Sequence, residues 1–170
     1  METWLAIASR REVRNYAPTP VPAEIEERIL DAGRLSGSSQ NRQQWRFVVV
    51  ESPGTREALA GLVYAPGNVR GAQLVVAIVV SGKGPTSFDA GRCAQSMLLA
   101  AWDAGVGGCP NGTPDADAVA KLLDLGEGER PAIVLTFGYP AAPRDPAARS
   151  AEEWSARAGR KRLTDLVERV

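Results

Sequence analysis

The feature that most constrains the fold is an unbroken run of seven apolar residues, Leu74–Val80. Valine and isoleucine dominate the run, and β-branched residues of this kind favour strands. A strand without polar positions has no face for solvent, so it must be covered on both sides. We therefore expect a central strand at 74–80. Because helical patterns occur on either side of this run, the chain is predicted to be an α plus β layered domain.

Hydrophobic periodicity and turn residues predict the other elements. Two further strands are predicted at Trp45–Val50 and Ala132–Phe137. Helices are predicted at 2–10, from Pro22 onward with Ile25, Ile29 and Leu30 as the buried stripe, at Thr55–Val63, at 88–104, at Ala116–Leu123 and at Glu152–Ala158. The 88–104 helix has small and apolar residues nearly all round, which indicates burial in the core or against a partner chain. Residues 64–71 are predicted to form a loop, and 16–22 to be extended.

Composition narrows the function classes. The 170 residues fit one domain spanning 1–170, and the net charge of zero disfavours general binding of nucleic acids or anionic membranes. The chain has no long apolar run and a charged N-terminal segment, so we expect a cytoplasmic protein. Histidine is absent, which excludes a Ser-His or Cys-His pair, a histidine base and histidine metal ligands. Chemistry is then expected from a bound cofactor. Cys93 and Cys109 are interpreted as buried hydrophobic residues.

Two polar segments together suggest a ligand. Arg10, Arg11 and Arg14 would share one face if this segment were helical, and guanidinium groups bind phosphate well. A later loop carries neutral hydrogen-bonding groups suited to the pyrimidine edge of a heterocycle: Ser38, Ser39, Asn41 and Gln43. Flavin mononucleotide combines both ends. The alternative is that the arginines, and the second basic cluster Arg160-Lys161-Arg162, are solvated helix-end and tail charges.

A glycine-rich segment, 105–112, follows the predicted buried helix. It is not a dinucleotide-binding fingerprint, because that motif lies between a strand and a helix. It is typical of a helix C-cap that leads into a strand. Glycines there would also let backbone amides approach a flat ligand closely.

These motifs, in this order, resemble the nitroreductase family of flavoproteins. The resemblance is carried by Arg10–Arg14, Pro20-Val21-Pro22, Ser38–Val50, the buried helix, Cys109–Gly112, Gly138-Tyr139-Pro140 and Arg160–Leu163. It implies a three-layer α+β fold with a central mixed, mostly antiparallel sheet flanked by helices. It further implies an intertwined homodimer with two FMN sites at the interface.

By this resemblance, each polar segment has an expected place around FMN. Arg10, Arg11 and Arg14 would lie along the phosphate, ribityl and pyrimidine side, and Arg160 and Arg162 would return to the phosphate. Ser38, Ser39 and Asn41, with Gln43 close by, would meet the flavin of the same or the opposite subunit. Pro110, Asn111 and Gly112 would lie near N5, with Asn68 and Arg70 near the ribityl chain and N1. Glu12, Gly37 and Gln44 depart from the family pattern, which commonly has a small residue and two prolines there.

The implied reaction takes hydride from NADH or NADPH to flavin N5 and then to a flat acceptor such as a nitroaromatic or quinone. Both half-reactions would use one open, shallow pocket, which gives ping-pong kinetics, and no side chain would be catalytic. One alternative is a specialised flavin- or deazaflavin-dependent dehydrogenase or reductase. A second is a flavin-binding dimeric protein with little turnover, and a nucleic-acid role for the arginines is a distant third.

Overall fold

The computed structural model describes all residues, Met1–Val170, and contains seven α-helices and four β-strands. The helices are α1 (Thr3–Ser9), α2 (Ala23–Arg34), α3 (Pro53–Ala60), α4 (Pro66–Gly71), α5 (Thr86–Asp103), α6 (Ala116–Leu122) and α7 (Ala151–Arg157). The strands are β1 (Trp45–Val49), β2 (Leu74–Val80), β3 (Gly107–Asn111) and β4 (Arg130–Gly138). Short 3₁₀ turns cover Ser39–Asn41, Pro146–Ala148 and Leu163–Asp165.

The four strands form one antiparallel sheet in the order β1-β2-β4-β3. Every residue of β2 is buried, so the prediction of a central strand with two covered faces is confirmed. Val76 and Ile78 belong to the core on one face, and Val75 and Ala77 to the core on the other. The only parallel element beside the sheet is a single bridge between Glu12 and Gly108.

Helices cover both faces of the sheet, which gives the three layers predicted. On one face α2 packs against α5, and Ile29 and Met97 are fully buried between these helices and the sheet. On the other face α3, α4 and α6 lie over β2 and β4, with Leu59 and Val69 in their core. The α+β fold class is thereby confirmed. Helix α5 is less buried than predicted, because its outer side is exposed to solvent at several positions.

Capping residues explain where several helices begin. The Ser52 hydroxyl accepts a hydrogen bond from the Thr55 amide at the start of α3. The Asp115 carboxylate accepts one from the Ala118 amide at 2.9 Å at the start of α6. Both side chains satisfy amides that have no partner within the helix. Pro22 precedes α2 as predicted.

Two local predictions are wrong. Residues 64–71 are not all loop, because Pro66 begins the short helix α4, where a proline at the first position loses no hydrogen bond. The arginine segment is not helical either. Helix α1 ends at Ser9, Arg10 caps it with ψ 133°, and Glu12 pairs with Gly108 as extended backbone. Pairing with a strand that is distant in sequence overrides the helical spacing of the arginines.

The chain divides into two compact units, and Arg11–Pro143 contains the whole sheet and helices α2 to α6. The second unit comprises Met1–Arg10 and Arg144–Val170. Within it α1 packs against α7, and the Trp154 indole N–H donates to the Pro146 carbonyl at 2.8 Å. A single domain over 1–170 stays a prediction. None of the helices is long and apolar enough to cross a membrane.

Candidate functional site

The segment that carries Arg11 and Arg14 is fixed along the ends of β3 and β4. The Val13 amide donates to the Gly108 carbonyl at 3.1 Å, and the Ala17 amide donates to the Tyr139 carbonyl at 2.8 Å. Val13 is buried while Arg14 is exposed. Gly107 makes this close approach possible, since a Cβ at this glycine would lie 2.4 Å from a Val13 methyl carbon. The segment therefore presents Arg14 to solvent from a rigid backbone.

The charge of Arg14 acts on Cys109 in β3. Burial raises the pKa of the Cys109 thiol, the Glu12 carboxylate raises it further, and the Arg14 guanidinium opposes both effects. Cys109 is 2% exposed, and the Asn68 amide lies 3.6 Å from its sulfur. A cation and a carboxylate thus flank the same strand, so Glu12 reduces the positive potential that Arg14 creates there.

The outer edge of β3 offers an unpaired backbone donor. The Gly108 carbonyl points away from β4 and accepts from the Val13 amide. Because backbone groups alternate in direction along a strand, the backbone groups of Pro110 and Gly112 also point away from β4. Pro110 has no N–H, and the Gly112 N–H donates to no acceptor in the protein. The Gly112 carbonyl accepts from the Tyr64 amide at 3.1 Å. The Tyr64 ring is 75% exposed and lies 3.3 Å from the position of a Cβ at Gly112.

Asn68 and Asn111, both predicted flavin contacts, turn inward. They are 6% and 4% exposed, and the Asn68 side-chain amide donates to the Asn111 carbonyl oxygen at 2.7 Å. Arg70 remains on the surface, where it pairs with Glu57 at 2.7 Å.

The loop with the predicted polar contacts is strained and anchored. Gln40, Asn41 and Gln43 all have positive φ angles, between 51° and 53°, a conformation that costs free energy for residues other than glycine. Two hydrogen bonds hold it. The Ser39 amide donates to a carboxylate oxygen of the buried Asp89 at 3.0 Å, and the Gln43 amide donates to the Ser38 hydroxyl at 2.9 Å. Asn41 and Gln43 are left exposed.

The departures from the family pattern in this loop have packing reasons. A Cβ at Gly37 would lie 2.4 Å from an Arg92 guanidinium nitrogen, so the glycine makes room for Arg92. The Gln44 side chain similarly covers Gly82, where a Cβ would lie 2.1 Å from its amide nitrogen. The Arg92 and Gln44 side chains thus occupy the space that a Cβ at Gly37 or at Gly82 would need.

The two parts of the predicted site lie at opposite corners of the sheet. The loop leads into β1 at Trp45, which pairs with Val80, whereas Gly108 pairs with Phe137 and through it aligns with Leu74. Six residues along β2 span about 20 Å, and three strand spacings add about 14 Å, so the diagonal from Trp45 to Gly108 is about 24 Å. One chain does not bring the Ser38–Gln43 loop to Arg14.

The remaining predicted cations belong to the smaller unit. Arg10 caps α1, and Arg160 and Arg162 are exposed in the tail after α7. The Arg162 guanidinium pairs with Asp165 at 2.9 Å. Their assignment as phosphate contacts stays a prediction.

A groove of about 790 Å³ lies between α2 and β1. Leu30, Trp45 and Phe47 form its apolar lining, and Glu26 and Glu27 lie on its α2 side. Of the predicted flavin contacts, only Gln43 borders it. The groove is therefore distinct from the edge of β3 that carries Arg14 and Gly112.

Tyr64 and Asp89 belong to the site although neither was among the residues predicted from the sequence. Tyr64 lies in the 64–71 segment that was interpreted as a loop, where nothing in the sequence indicates a contact with Gly112. The sequence does contain a sign that Asp89 is important. It is an acidic residue in a predicted buried helix, and most of the residues around it are small or apolar. A buried carboxylate at such a position needs hydrogen-bond donors, and the Ser39 amide provides one.

Comparison with known proteins places this geometry in context. The sequence model of the nitroreductase family matches residues 7–84 and 85–139. A protein of Methanothermobacter thermautotrophicus, assigned as an NADH dehydrogenase/NAD(P)H nitroreductase, is 27% identical over 150 residues, which cover 83% of this chain and 78% of that protein.

Solved structures show the same fold. A nitroreductase family protein from Clostridium difficile 630 superposes with a TM-score of 0.81 at 22% identity, over 99% of this chain and 98% of that one. NADPH:FMN oxidoreductase from Vibrio harveyi superposes with a TM-score of 0.76 at 24% identity, over 81% of this chain and 68% of that one.

Proposed function

The chain belongs to the nitroreductase family, and on that basis we propose that it is an FMN-dependent oxidoreductase. It takes hydride from NADH or NADPH and passes it to a flat acceptor such as a nitroaromatic or a quinone. Its relative in Methanothermobacter is assigned to NAD(P)H oxidoreductase chemistry, and the Vibrio harveyi relative is an NADPH:FMN oxidoreductase. Both names favour a nicotinamide donor, and the second favours FMN as the flavin.

The observation that carries the proposal is the open edge of β3. It combines the unpaired Gly112 N–H, the exposed Tyr64 beside it, and the exposed Arg14, whose charge acts on Cys109 in the same strand. An N–H donor, a cation and an aromatic surface are the groups that suit a flat, anionic cofactor with acceptor atoms along one edge. The residues present therefore fit FMN.

FMN, when bound, supplies hydride transfer, which a chain without histidine and with two buried cysteines is poorly equipped to perform. The protein contributes binding and orientation. Gly112 would donate its N–H to an acceptor atom at the reactive edge, and Arg14 would hold negative charge on the phosphate or pyrimidine side. Tyr64 would present its ring to the flat acceptor. None of these roles requires a proton to move to or from a side chain.

A homodimer would complete the site. Since Trp45, where this loop joins β1, lies about 24 Å from Gly108 in one chain, we propose that the loop of one subunit meets the flavin held at β3 of its partner. Ser38, Ser39, Asn41 and Gln43 would then contact the ring from the second chain. The positive φ angles of this loop are consistent with a conformation held for binding rather than for stability.

Spectroscopy of the purified protein tests the proposal. We expect copurified FMN, or stoichiometric binding of added FMN, and bleaching of the flavin absorbance when NADH or NADPH is added without oxygen. Addition of a quinone should restore the colour. A protein that binds no flavin contradicts the proposal. Bound flavin that neither nicotinamide bleaches would favour a flavin-binding protein with little turnover.

The same experiment distinguishes FMN from a deazaflavin as the cofactor. Protein that leaves FMN unbound but retains a deazaflavin would replace the cofactor assignment, because the two flavins differ at the N5 position that Gly112 is proposed to contact.

A further inference from the structure

A line of hydrogen bonds crosses the interior behind the proposed flavin site. It joins Asn68 of α4, Asn111 of β3, Thr136 of β4 and Tyr16, and we call it the Asn68–Tyr16 chain. Asn68, Asn111 and Thr136 are 6%, 4% and 0% exposed. Three buried polar side chains in line with the partly buried Tyr16 need a reason, because burying polar groups costs free energy unless each finds a partner.

Each side chain in this line is hydrogen-bonded to the next one. The Asn68 amide donates to the Asn111 oxygen at 2.7 Å, and the Asn111 amide donates to the Thr136 hydroxyl at 3.1 Å. The Tyr16 hydroxyl donates to the Val13 carbonyl at 2.6 Å. The Tyr16 and Thr136 hydroxyls lie 2.9 Å apart, and either oxygen can be the donor. The Thr136 hydroxyl also donates to the Cys109 carbonyl at 3.2 Å. Both hydroxyls therefore find hydrogen-bond partners within the protein.

The hydrogen bonds of this line involve residues directly adjacent to both Arg14 and Gly112. The Val13 carbonyl belongs to the peptide group whose nitrogen is that of Arg14. The Asn111 carbonyl belongs to the peptide group whose N–H is that of Gly112. The Asn111 side chain also donates to the Cys109 carbonyl at 2.9 Å, which further fixes β3.

We propose that the Asn68–Tyr16 chain is a positioning device that holds Arg14 and the Gly112 N–H at a fixed separation for the flavin. The proposal rests on the function proposed above and gives Asn68 and Asn111 an indirect role in place of the direct flavin contact predicted from the sequence. Buried polar networks with every partner satisfied specify one geometry, whereas an apolar packing of the same volume would leave the segment that carries Arg14 free to shift against β3.

Two substitutions of Thr136 and a matched control test this role. Thr136→Val keeps the side-chain shape and removes the central hydroxyl, and Thr136→Ser restores a hydroxyl. The matched control is Thr86→Val, which removes another buried threonine hydroxyl, the one that accepts from Arg130 at 2.6 Å. If Thr136→Val does not fold, Tyr16→Phe breaks the same line and keeps the ring.

Hydrogen exchange of the flavin-free protein gives the first readout. Thr136→Val should speed exchange about tenfold in both 12–17 and 107–112, the result of about 1.4 kcal/mol less local stability. Thr136→Ser and Thr86→Val should exchange like the wild type in these segments. Acceleration in only one segment, or in neither, overturns the proposal.

The second readout is FMN binding followed by flavin fluorescence. Thr136→Val should raise the Kd for FMN about tenfold and shift the visible spectrum of the bound flavin, and Thr136→Ser should restore both. Equal weakening by Thr86→Val would indicate general destabilisation and overturn the proposal. A wild-type protein that binds no FMN would instead overturn the proposed function, while the exchange experiment would still decide whether the two segments are held together.

Discussion

At the residue scale, Arg14 is the side chain on which flavin retention should depend most. Arg14 is exposed, and the backbone of the preceding residue hydrogen bonds to β3. The positive charge of Arg14 acts to lower the pKa of the Cys109 thiol. Glu12 lies near the same thiol, so the net positive potential at this edge is smaller than the sequence of arginines suggests. The contribution of Arg14 to this small net potential is then a larger share than it would be within a fully basic cluster.

Replacement of Arg14 by alanine should weaken FMN binding about tenfold to a hundredfold, the effect of losing a charge-assisted hydrogen bond worth about 1.5–3 kcal/mol. Titration with FMN, followed by fluorescence, measures the change. Arg144→Ala is the matched control, because Arg144 is an exposed arginine outside the predicted site, and it should bind FMN like the wild type. An unchanged Kd in Arg14→Ala would remove Arg14 from the flavin site.

The two cysteines should be inert in the folded protein. Burial raises the pKa of Cys93 to about 12 and also raises the pKa of Cys109, because the thiolate is the form that burial disfavours. At pH 8 the thiolate of Cys93 is then about one molecule in ten thousand. A chromogenic disulfide reagent should release colour only after unfolding in guanidinium. Rapid reaction of the native protein would contradict the buried, protonated state.

At the element scale, β3 and the segment of Glu12–Ala17 depend on glycines. Gly107 and Gly138 face each other in the sheet. A Cβ at Gly107 would reach Val13, and one at Gly138 would lie 2.9 Å from the Tyr16 ring. This pair of glycines lets the segment lie close against the sheet and so sets where Arg14 emerges.

Gly107→Ala should therefore lower the free energy of unfolding by about 1–3 kcal/mol, the usual cost of overpacking. Gly91→Ala is the control from α5. Its Cβ would meet nothing within 4 Å, and alanine favours the helix by about 0.5–1 kcal/mol, so this variant should be slightly more stable than the wild type. Urea unfolding measures both. Equal stability of Gly107→Ala and the wild type would show that Val13 can move aside.

At the scale of the whole molecule, the separation of the loop from β3 predicts sites shared between subunits. In a composite dimer, each Arg14→Ala or Asn41→Ala homodimer has both sites damaged. A mixed dimer that contains one subunit of each variant has one doubly damaged site and one intact site.

Subunits of the two variants, carrying different affinity tags, should therefore regain about one tight FMN site per mixed dimer after unfolding and refolding together. Fluorescence titration of the doubly purified dimer counts the sites. The control mixes each variant with itself and should regain none. A mixed dimer with no tight site would place the loop and Arg14 of the same subunit around one flavin, and a monomeric protein would contradict the dimer itself.

The sequence predicted most of the secondary structure because local signals determine it. Leu74–Val80 has no polar face and many β-branched residues, which favours a two-sided strand, and Pro22 and Ser52 are residue types that favour helix starts. Helix α4 was missed because glycine and asparagine in Pro66–Gly71 are poor helix formers, and only packing of Val69 into the core makes this turn helical.

For the candidate site, the sequence by itself determined which chemistries are present. It provided the arginines, the amide-rich loop, the glycine-rich segment and the absence of histidine, and it was sufficient to indicate the nitroreductase family. The tertiary structure decided how these residues are used. Pairing of Glu12 and Val13 with Gly108 replaced a helix by extended backbone, burial turned Asn68 and Asn111 inward, and the sheet separated the loop from Arg14. These outcomes depend on contacts between residues far apart in sequence, which no local pattern of side chains encodes.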